Sequence, residues 1–374
     1  MTIAALTNSI PGVRLLHADD AEDARLWDRL VDSASLPDVY YRPGYAYAYE
    51  VIGQGKAVAV LAETGGVRAL FPLLLRPLNA LRFAPEESGL DAATPYGYGG
   101  LLLLDGIEHF GAQQGRELLE VLRDWCRENQ IVSAHIRLHP VIEQHQWFDG
   151  AVSDHLRLTL RGPTTAIDLH LWDSETASIA TLHRGRRSDL NFARRHLRLT
   201  WTSEGRVLHD DLRLFYGLYE QRMTELEAGQ NYHFTFDYYQ ALAQGLGSRL
   251  DVAIAWLDGH PVGGALFMID RVMAHYHLST ANQLGRAHKA TSLILNGAAE
   301  RARQSDCQRL HLGGGVRGED PLFAFKRSFG GDLYRYSFLS LICDPLRYSR
   351  LVERRVTTPH LPALQADFFP EYRG

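Results

Sequence analysis

Hydrophobic and polar positions along the chain give the same order of elements twice. VAVLAETGGVRALF at 58–71 and VAIAWLDGHPVGGALF at 252–267 are apolar on both sides of a Gly-containing turn, which predicts two β-hairpins. Further strands, an amphipathic helix and another strand follow each hairpin. The helices are predicted at 113–128 and 288–304, and the strands after them at 135–138 and 309–312.

The repeated order predicts an α/β (α+β) chain with two domains of the same plan, each a mixed β-sheet with helices packed on it. We place the junction near the Arg161-Gly162-Pro163 turn, with domains at 1–155 and 156–374. Further helices are predicted at 21–33, 173–196, 209–226 and 236–246.

Composition and charge narrow the class of protein. The chain has 374 residues, enough for two cores, and its net charge of −5 gives no global attraction to nucleic acid or to a membrane surface. The sequence has no run of about 18 apolar residues and no secretory leader, so we expect a cytoplasmic protein without an integral membrane segment. Cys126, Cys307 and Cys343 lack the spacing of a zinc site or a disulfide framework, and we expect reduced, buried thiols.

The segment LHLGGGVRGEDPLFAFKRSFGG at 310–331 contains one of only three lysines in the chain. Asp320 followed by Pro321 predicts a capped helix start. Helical spacing places Arg327 in water, and it places on one inward stripe Leu322, Phe325, Lys326 and Phe329. Lys326 therefore has two interpretations: its ammonium extends past apolar contacts to water, or it lies where negative charge develops during a reaction.

Two other clusters also have a structural and a functional interpretation. HRGRRSDLNFARRHLR at 183–198 has six arginines and one aspartate, which is either a solvated helix surface or a phosphate-binding track for tRNA or a nucleotide-linked precursor. Its candidate phosphate contacts are Arg186, Arg187, Arg194 and Arg195. His275 and His277 share a strand face, but no third ligand has a useful spacing, so we expect no metal site.

Three local patterns resemble the Fem family of peptidyl transferases. They are TPYGYGG at 94–100, the LHLGGG and FAFKRSFGG motifs within 310–331, and LRLFYGLYEQRMTELEAGQNYHFTFDYY at 212–239. Fem proteins consist of two GNAT-like acyltransferase domains in tandem and add amino acids from aminoacyl-tRNA to cell-wall precursors. The resemblance covers most of residues 40–340. It implies tandem GNAT-like domains, aminoacyl-tRNA as co-substrate with no bound cofactor, and an acceptor amine on a peptidoglycan precursor or small peptide-like metabolite.

The resemblance also assigns roles to individual residues. Lys326 corresponds to the family's lysine at the acyl-transfer site, Arg222 to an arginine that contacts precursor phosphate, and Tyr276 to a substrate-lining tyrosine. The substrate-contacting loop contains two tyrosines, and the pattern does not choose between them. The two tyrosines are Tyr96 and Tyr98. The other expected substrate contacts are Phe325, Gly313 and Gly314. Amide formation from an ester needs a donor to the developing oxyanion, which Lys326 or the backbone N–H groups of the glycine segment can supply.

Two features depart from the Fem pattern. No heptad run interrupts residues 160–330, so the long helical arm of some members has no counterpart. ANQLGRA at 281–287 nearly matches the (Gln/Arg)-x-x-Gly-x-(Gly/Ala) loop of acyl-CoA-dependent GNAT enzymes, with Asn282 in its first position. Acyl-CoA is therefore the alternative donor, although bulky residues after Gly285 lead us to expect no productive coenzyme A site. A third hypothesis is a non-catalytic GNAT-like module that binds a nucleotide-sugar or a protein partner.

Overall fold

The computed structural model describes residues 6, 10–105, 110–150, 152–171, 182, 184–315 and 318–374. The chain divides into two compact units. Unit 1 comprises Met1–Leu36, Tyr40–Arg161 and Tyr336–Gly374. Unit 2 comprises Pro37–Val39 and Gly162–Arg335.

Unit 1 begins with a strand and two helices, and a hairpin follows them. These elements are β1 (Val13–His17), α1 (Ala21–Ser33), α2 (Pro43–Val51), β2 (Lys56–Thr64) and β3 (Val67–Pro77). The unit then continues through β4 (Leu90–Ala93), the short β5 (Leu102–Leu103), α3 (Ala112–Glu128) and β6 (Ile131–Leu138). Helix α1 begins where the Asp20 carboxylate accepts hydrogen bonds from the backbone N–H groups of Glu22 and Asp23.

Unit 2 has the same order of elements. The chain enters it within β7 (Leu156–Asp168) and forms α4 (Arg184–His196), β8 (Arg198–Thr202), α5 (Gly205–Glu225) and α6 (Phe236–Leu246). A hairpin and a third strand follow, as β9 (Leu250–Leu257), β10 (His260–Ile269) and β11 (Met273–Ala281). The last elements are α7 (Gln283–Ala287), α8 (Ala290–Gln304), β12 (Arg309–Gly314) and α9 (Pro321–Arg327). The chain returns to unit 1 within β13 (Asp332–Ile342), which α10 (Pro345–Thr357) follows.

The two units have sheets of the same topology. The strand order is β1-β2-β3-β4-β6-β13 in unit 1 and β8-β9-β10-β11-β12-β7 in unit 2. Both hairpins turn through two residues of positive φ, Gly65-Gly66 and Asp258-Gly259, as expected for the turn that matches strand twist. The predicted fold, two α/β units with mixed sheets and the same plan, is confirmed.

One parallel pair of strands lies in each sheet, β4 with β6 and β11 with β12. The last paired residues are Ala93 with His135 in unit 1 and His275 with His311 in unit 2. Strands β6 and β11 extend several residues beyond these pairs. Each unit therefore has a place at the carboxyl ends of its parallel pair where the backbones separate and side chains can enter.

A crossover helix covers each parallel pair, as such a connection requires. Helix α3 buries Leu118, Leu122 and Trp125 in the core of unit 1, and α8 buries Ile294 and Leu295 in the core of unit 2. The bounds of α1 and α6 agree with the predicted helices 21–33 and 236–246. The helix predicted at 173–196 begins at Arg184 in the structure, and residues 172–181 and 183 lie outside the described residues. No helix among the described residues has the length and apolar character needed to cross a membrane.

The segment from Tyr336 onward lies in unit 1, whereas the sequence prediction assigned it to the second domain. The reason is strand pairing, because β13 runs antiparallel to β6 from Ser337–Leu138 to Ile342–Ser133. Unit 2 takes its corresponding strand from β7, which pairs with β12. Each sheet is thus completed by a strand from a distant part of the chain.

The end of the chain is fixed to unit 1 through Asp91, which is fully buried. Its carboxylate accepts from Arg76 Nε at 2.7 Å, from Arg373 Nε at 2.5 Å and from the Tyr372 hydroxyl at 3.1 Å. The Tyr372 hydroxyl also lies 2.8 Å from Ser133 Oγ on β6. One carboxylate therefore holds β4, β3 and the last residues together.

We expect Asp91→Asn to lower the free energy of unfolding by about 3–5 kcal/mol, because it leaves two partly buried guanidinium groups without their carboxylate. Urea denaturation measures the change. The matched control is Asp105→Asn, which removes an exposed carboxylate 2.6 Å from Arg68 and should cost less than about 1 kcal/mol. Equal, small losses for the two variants would show that Asp91 does not hold the unit together.

Candidate functional site

The predicted lysine lies on a short helix whose start and position follow from local sequence. Asp320 caps α9 by accepting from the Phe323 N–H at 2.9 Å, and Pro321 occupies the first turn. Lys326 is half-buried and Arg327 is exposed, as helical spacing predicts. The predicted stripe was wrong for Leu322, which is 43% exposed, and Phe323 is buried in its place.

Lys326 has one hydrogen bond to the main chain. Its Nζ donates to the carbonyl oxygen of Gly314 at 2.8 Å, at the end of β12. Gly313 has a φ of 74° at an irregularity in the pairing of β12 with β7, a conformation that favours glycine. At Gly315 a Cβ would lie 2.3 Å from the capping carboxylate of Asp320. The glycine segment therefore brings the strand end, the helix cap and the lysine close together.

The ammonium of Lys326 lies over the ring of Tyr276, 5.7 Å from its centroid. Burial lowers the pKa of Lys326 from its ordinary 10.5 to about 8, and the charge of Asp320 opposes part of this change. The charged form therefore predominates at pH 7. A cation that is partly removed from water interacts more strongly with a nearby negative charge than an exposed one does.

Tyr276 projects from β11 just beyond its last pair with β12. It is half-buried, packs against Phe267 at 5.3 Å, and lies on the strand face opposite His275 and His277. Burial raises the pKa of the Tyr276 phenol to about 12, although a hydrogen bond with Ser279 opposes this shift. The phenol is therefore neutral at pH 7 and able to donate a hydrogen bond.

Of the four candidate arginines on α4, Arg186 contacts the lysine helix. Its guanidinium lies 5.1 Å from the ring centroid of Phe325, 2.9 Å from Asp189 and 3.4 Å from Ser292 Oγ. The other three are exposed, namely Arg187, Arg194 and Arg195. The structure thus brings together Lys326, Gly314, Tyr276, Phe325 and Arg186.

Arg222 belongs to a separate group of charges. It lies in the last turn of α5 and pairs with Glu225 at 2.9 Å, and Arg286 lies 3.9 Å from the same carboxylate. The two arginines lower the pKa of Glu225, with Arg222 as the largest cause. Within the described part of the chain, Arg222 makes no hydrogen bond or ion pair with Lys326 or Tyr276.

The two histidines of β11 have different partners within unit 2. His275 Nε2 lies 2.6 Å from Asp38 Oδ2, and its Nδ1 lies 3.3 Å from His311 Nδ1. His277 Nε2 lies 2.7 Å from the Tyr238 hydroxyl, and burial lowers the pKa of His277 to about 3. Both imidazoles therefore take part in hydrogen bonds of the unit.

The segment that resembles an acyl-CoA loop forms the short helix α7. The Asn282 side chain caps it by accepting from the Gly285 N–H at 2.9 Å. A Cβ at Gly285 would lie 2.0 Å from the Val262 carbonyl oxygen, so this position requires glycine for close packing on β10. Helix α8 begins after Lys289, which has a φ of 63° and makes no side-chain cap.

Tyr96 and Tyr98 of the first-domain loop surround an arginine that the sequence analysis did not single out. The Arg137 guanidinium lies 5.0 Å from the Tyr96 ring centroid, 5.7 Å from Tyr98, 5.7 Å from Tyr336 and 5.0 Å from Phe338. All five belong to unit 1. A sequence signal existed, because Arg137 is the only formally charged residue in the apolar strand IVSAHIRL.

Comparison with known proteins identifies the fold. Residues 181–327 match the acetyltransferase (GNAT) domain family. No curated protein sequence matches the chain significantly. The crystal structure of FemX matches with a TM-score of 0.68 at 12% identity, over 87% of this chain and 98% of FemX.

Two further structures have the same fold. A conserved protein of unknown function from Bacteroides thetaiotaomicron matches with a TM-score of 0.56 at 10% identity, over 85% of this chain and 97% of that one. The C-terminal domain of a protein described as a lysylphosphatidylglycerol synthetase, from Agrobacterium fabrum, matches with a TM-score of 0.53 at 14% identity, over 87% and 97%. The chain therefore has the fold of FemX, with two units of the same plan, and its residues 181–327 match the GNAT acetyltransferase domain family.

Proposed function

We propose that the protein is an acyltransferase that moves an aminoacyl group from aminoacyl-tRNA to an amine of a peptidoglycan precursor or small peptide-like acceptor. The observation that carries this proposal is the half-buried Lys326, hydrogen-bonded to Gly314 beside Tyr276 within a GNAT domain. The motifs that resemble the Fem family, and the name of the lysylphosphatidylglycerol synthetase whose C-terminal domain has the same fold, give further support for an aminoacyl donor.

In the proposed reaction the neutral acceptor amine attacks the ester carbonyl carbon of the aminoacyl-tRNA. Negative charge develops on the carbonyl oxygen, and the Lys326 ammonium donates a hydrogen bond to it. The ester C–O bond then breaks and the amide forms, and the proton lost by the amine goes to the departing ribose alkoxide oxygen, which leaves as the hydroxyl. No nucleophilic side chain is needed. Tyr276 and Phe325 provide apolar walls that limit water around the reacting carbonyl.

The cationic helix α4 is the proposed contact for tRNA phosphates. Arg187 and Arg195 are exposed, and Arg186 connects this surface to Phe325, next to the lysine. Guanidinium groups suit phosphate oxygens because several N–H donors can engage them together. A polyanion therefore has a local site on a chain whose net charge is −5.

Acyl-CoA is the second candidate donor, and one observation favours it. Helix α8 starts without a side-chain cap, next to the exposed Lys289, and free N–H groups at a helix start attract phosphate. Two contacts argue against acyl-CoA. The Asn282 side chain is already used to cap α7, and the Arg286 guanidinium donates a hydrogen bond to the Ala281 carbonyl oxygen at 2.7 Å. A non-catalytic binding module is the third candidate, and transfer assays with mixed labelled aminoacyl-tRNAs test it directly.

We expect Lys326→Met to fold normally and to lose about 10²–10³-fold in turnover, because one preorganised oxyanion donor is removed while the apolar stem is kept. Steady-state transfer assays and the melting temperature measure the two effects. The matched control is Arg327→Met, which removes an exposed cation from the same helix and should leave turnover unchanged. Turnover of the Lys326 variant within a few fold of wild type would contradict the assignment.

The pH dependence separates charge from packing in the same assay. A lysine with a pKa of about 8 loses its proton as pH rises through that value, so turnover should fall above about pH 8. Lys326→Arg keeps its charge at every accessible pH, so any activity that it retains should not show this fall. An alkaline limb that persists in the arginine variant would belong to another group.

We expect uncharged tRNA to raise the melting temperature in a salt-dependent way, and coenzyme A to leave it unchanged. A ligand present at 100 times its Kd stabilises the native state by about 2.7 kcal/mol, which a thermal-shift assay resolves. A large shift with coenzyme A together with acetyl transfer to an amine would instead establish the second candidate.

The double variant Arg187→Ala/Arg195→Ala identifies the tRNA surface in that assay. Each lost phosphate contact should reduce the slope of log affinity against log salt by about 0.7–0.9. The control double variant Arg206→Ala/Arg335→Ala removes two exposed arginines elsewhere on unit 2 and should leave the slope unchanged. Equal slopes for the two double variants would show that helix α4 is a solvated surface that does not bind tRNA phosphates.

A further inference from the structure

Unit 1 contains a cation enclosed by aromatic rings. The Arg137 guanidinium lies within 6 Å of four ring centroids, those of Tyr96, Tyr98, Tyr336 and Phe338. Three of the rings are half-buried, and that of Tyr96 is 50% exposed. The four rings and the arginine, which we term the Arg137 cage, are therefore open to solvent on the Tyr96 side.

The donors of this guanidinium are unused among the described residues. The recorded hydrogen bond of Arg137 is made by its backbone N–H, which donates to Thr94 Oγ1 at 3.1 Å. The guanidinium makes no hydrogen bond or ion pair in the described part of the chain. An arginine that only packs against rings ordinarily also directs its five N–H donors to acceptors. The cage therefore presents a fork of donors that has no acceptor in the described ranges of the chain.

The charges around the cage favour an anion. Burial first, and then the positive charges of Arg137, Arg76 and Arg161, lowers the pKa of the neighbouring His135 to about 3. The buried carboxylate of Asp91 is already held by Arg76 and Arg373. Among the residues that the structure describes, the positive charge of Arg137 thus has no paired carboxylate, and the rings around it exclude water and strengthen its attraction for an oxyanion.

The position of Arg137 in the fold corresponds to that of Gly313 in unit 2, next to the glycine that binds Lys326. The last parallel pairs are Ala93 with His135 and His275 with His311, so Arg137 and Gly313 each lie two residues beyond the pair. In unit 2 this place holds the strand end that binds Lys326. In unit 1 it holds the guanidinium of Arg137.

We propose that the Arg137 cage binds a singly charged oxyanion of the acceptor, and that this oxyanion is a carboxylate of a peptide-like molecule. One guanidinium matches one negative charge, and its planar fork matches the two oxygens of a carboxylate. The exposed Tyr96 ring offers an apolar face to the chain that bears the carboxylate. The identity of the ligand as the acceptor rests on the proposed function, whereas binding of the carboxylate does not.

The test is calorimetry with N-acetyl-alanyl-alanine and with its C-terminal amide, two ligands that differ in one charge. Wild type should bind the acid at least about tenfold more tightly than the amide, the difference expected for a charged hydrogen bond. Arg137→Gln should lose this preference. Arg116→Gln, which removes an exposed arginine of unit 1, should retain it.

Arg137→Lys keeps the charge without the planar fork, so its preference for the acid over the amide should be intermediate. This variant replaces Arg137→Gln in the test if the glutamine variant is too unstable to measure. Dimethyl phosphate provides the second arm. If it binds more tightly than the acid and depends on Arg137, the natural oxyanion is a phosphodiester and the carboxylate assignment is overturned. Equal binding of acid and amide, a preference that survives Arg137→Gln, or no binding at millimolar concentrations also overturns the proposal.

The outcome is separable from that of the proposed function, because binding needs no donor. Lys326→Met should bind the acid as wild type does, since Lys326 lies in unit 2. If no aminoacyl-tRNA supports transfer but the Arg137-dependent preference for the acid remains, the proposed function fails and the oxyanion site stands. If transfer occurs and the preference is absent, the reverse holds.

Discussion

The structure depends on one constraint in each unit, a parallel strand pair that ends early. Parallel strands need a crossover helix, and α3 and α8 provide it by burying one apolar face against the sheet. Beyond Ala93–His135 and His275–His311 the two backbones separate. The carboxyl ends of the strands then have polar groups and space that neighbouring strands do not fill. The Lys326 site and the Arg137 cage lie at these two places.

The two units place different cations there. Lys326 has a pKa lowered to about 8, so its charge responds to its surroundings and suits a site where charge appears and disappears during a reaction. Arg137 has a planar guanidinium, and four aromatic rings pack around it. A fixed, flat cation suits recognition better than turnover. In the two proposals, one side chain in each unit separates transfer from recognition.

The sequence predicted local features well, because their causes are local. Both hairpins, helix α6 and the Asp320 cap follow from turn residues, apolar spacing and a capping carboxylate within a few positions. The exchange of β7 and β13 was missed, since an apolar strand pattern does not specify its partner. Arg137 was missed for a related reason: two of its rings come from the loop at 94–100, but Tyr336 and Phe338 come from β13. The prediction placed Leu322 on the buried side of α9, where the structure has Phe323, because the apolar pattern of a two-turn helix defines its buried side poorly.

The strand exchange has a consequence for biosynthesis. During translation the ribosome delivers β6 long before β13 is complete, and the main segment of unit 2, Gly162–Arg335, is made in the interval. Unit 1 therefore waits with an open sheet edge and with Asp91 lacking Arg373 and Tyr372, while unit 2 already has β7 available and ends at Arg335. Unit 2 can reach its folded state first, contrary to the usual order in which the N-terminal domain folds first. The nascent chain is most exposed to edge pairing with other chains in this interval, when a chaperone would have the most to protect.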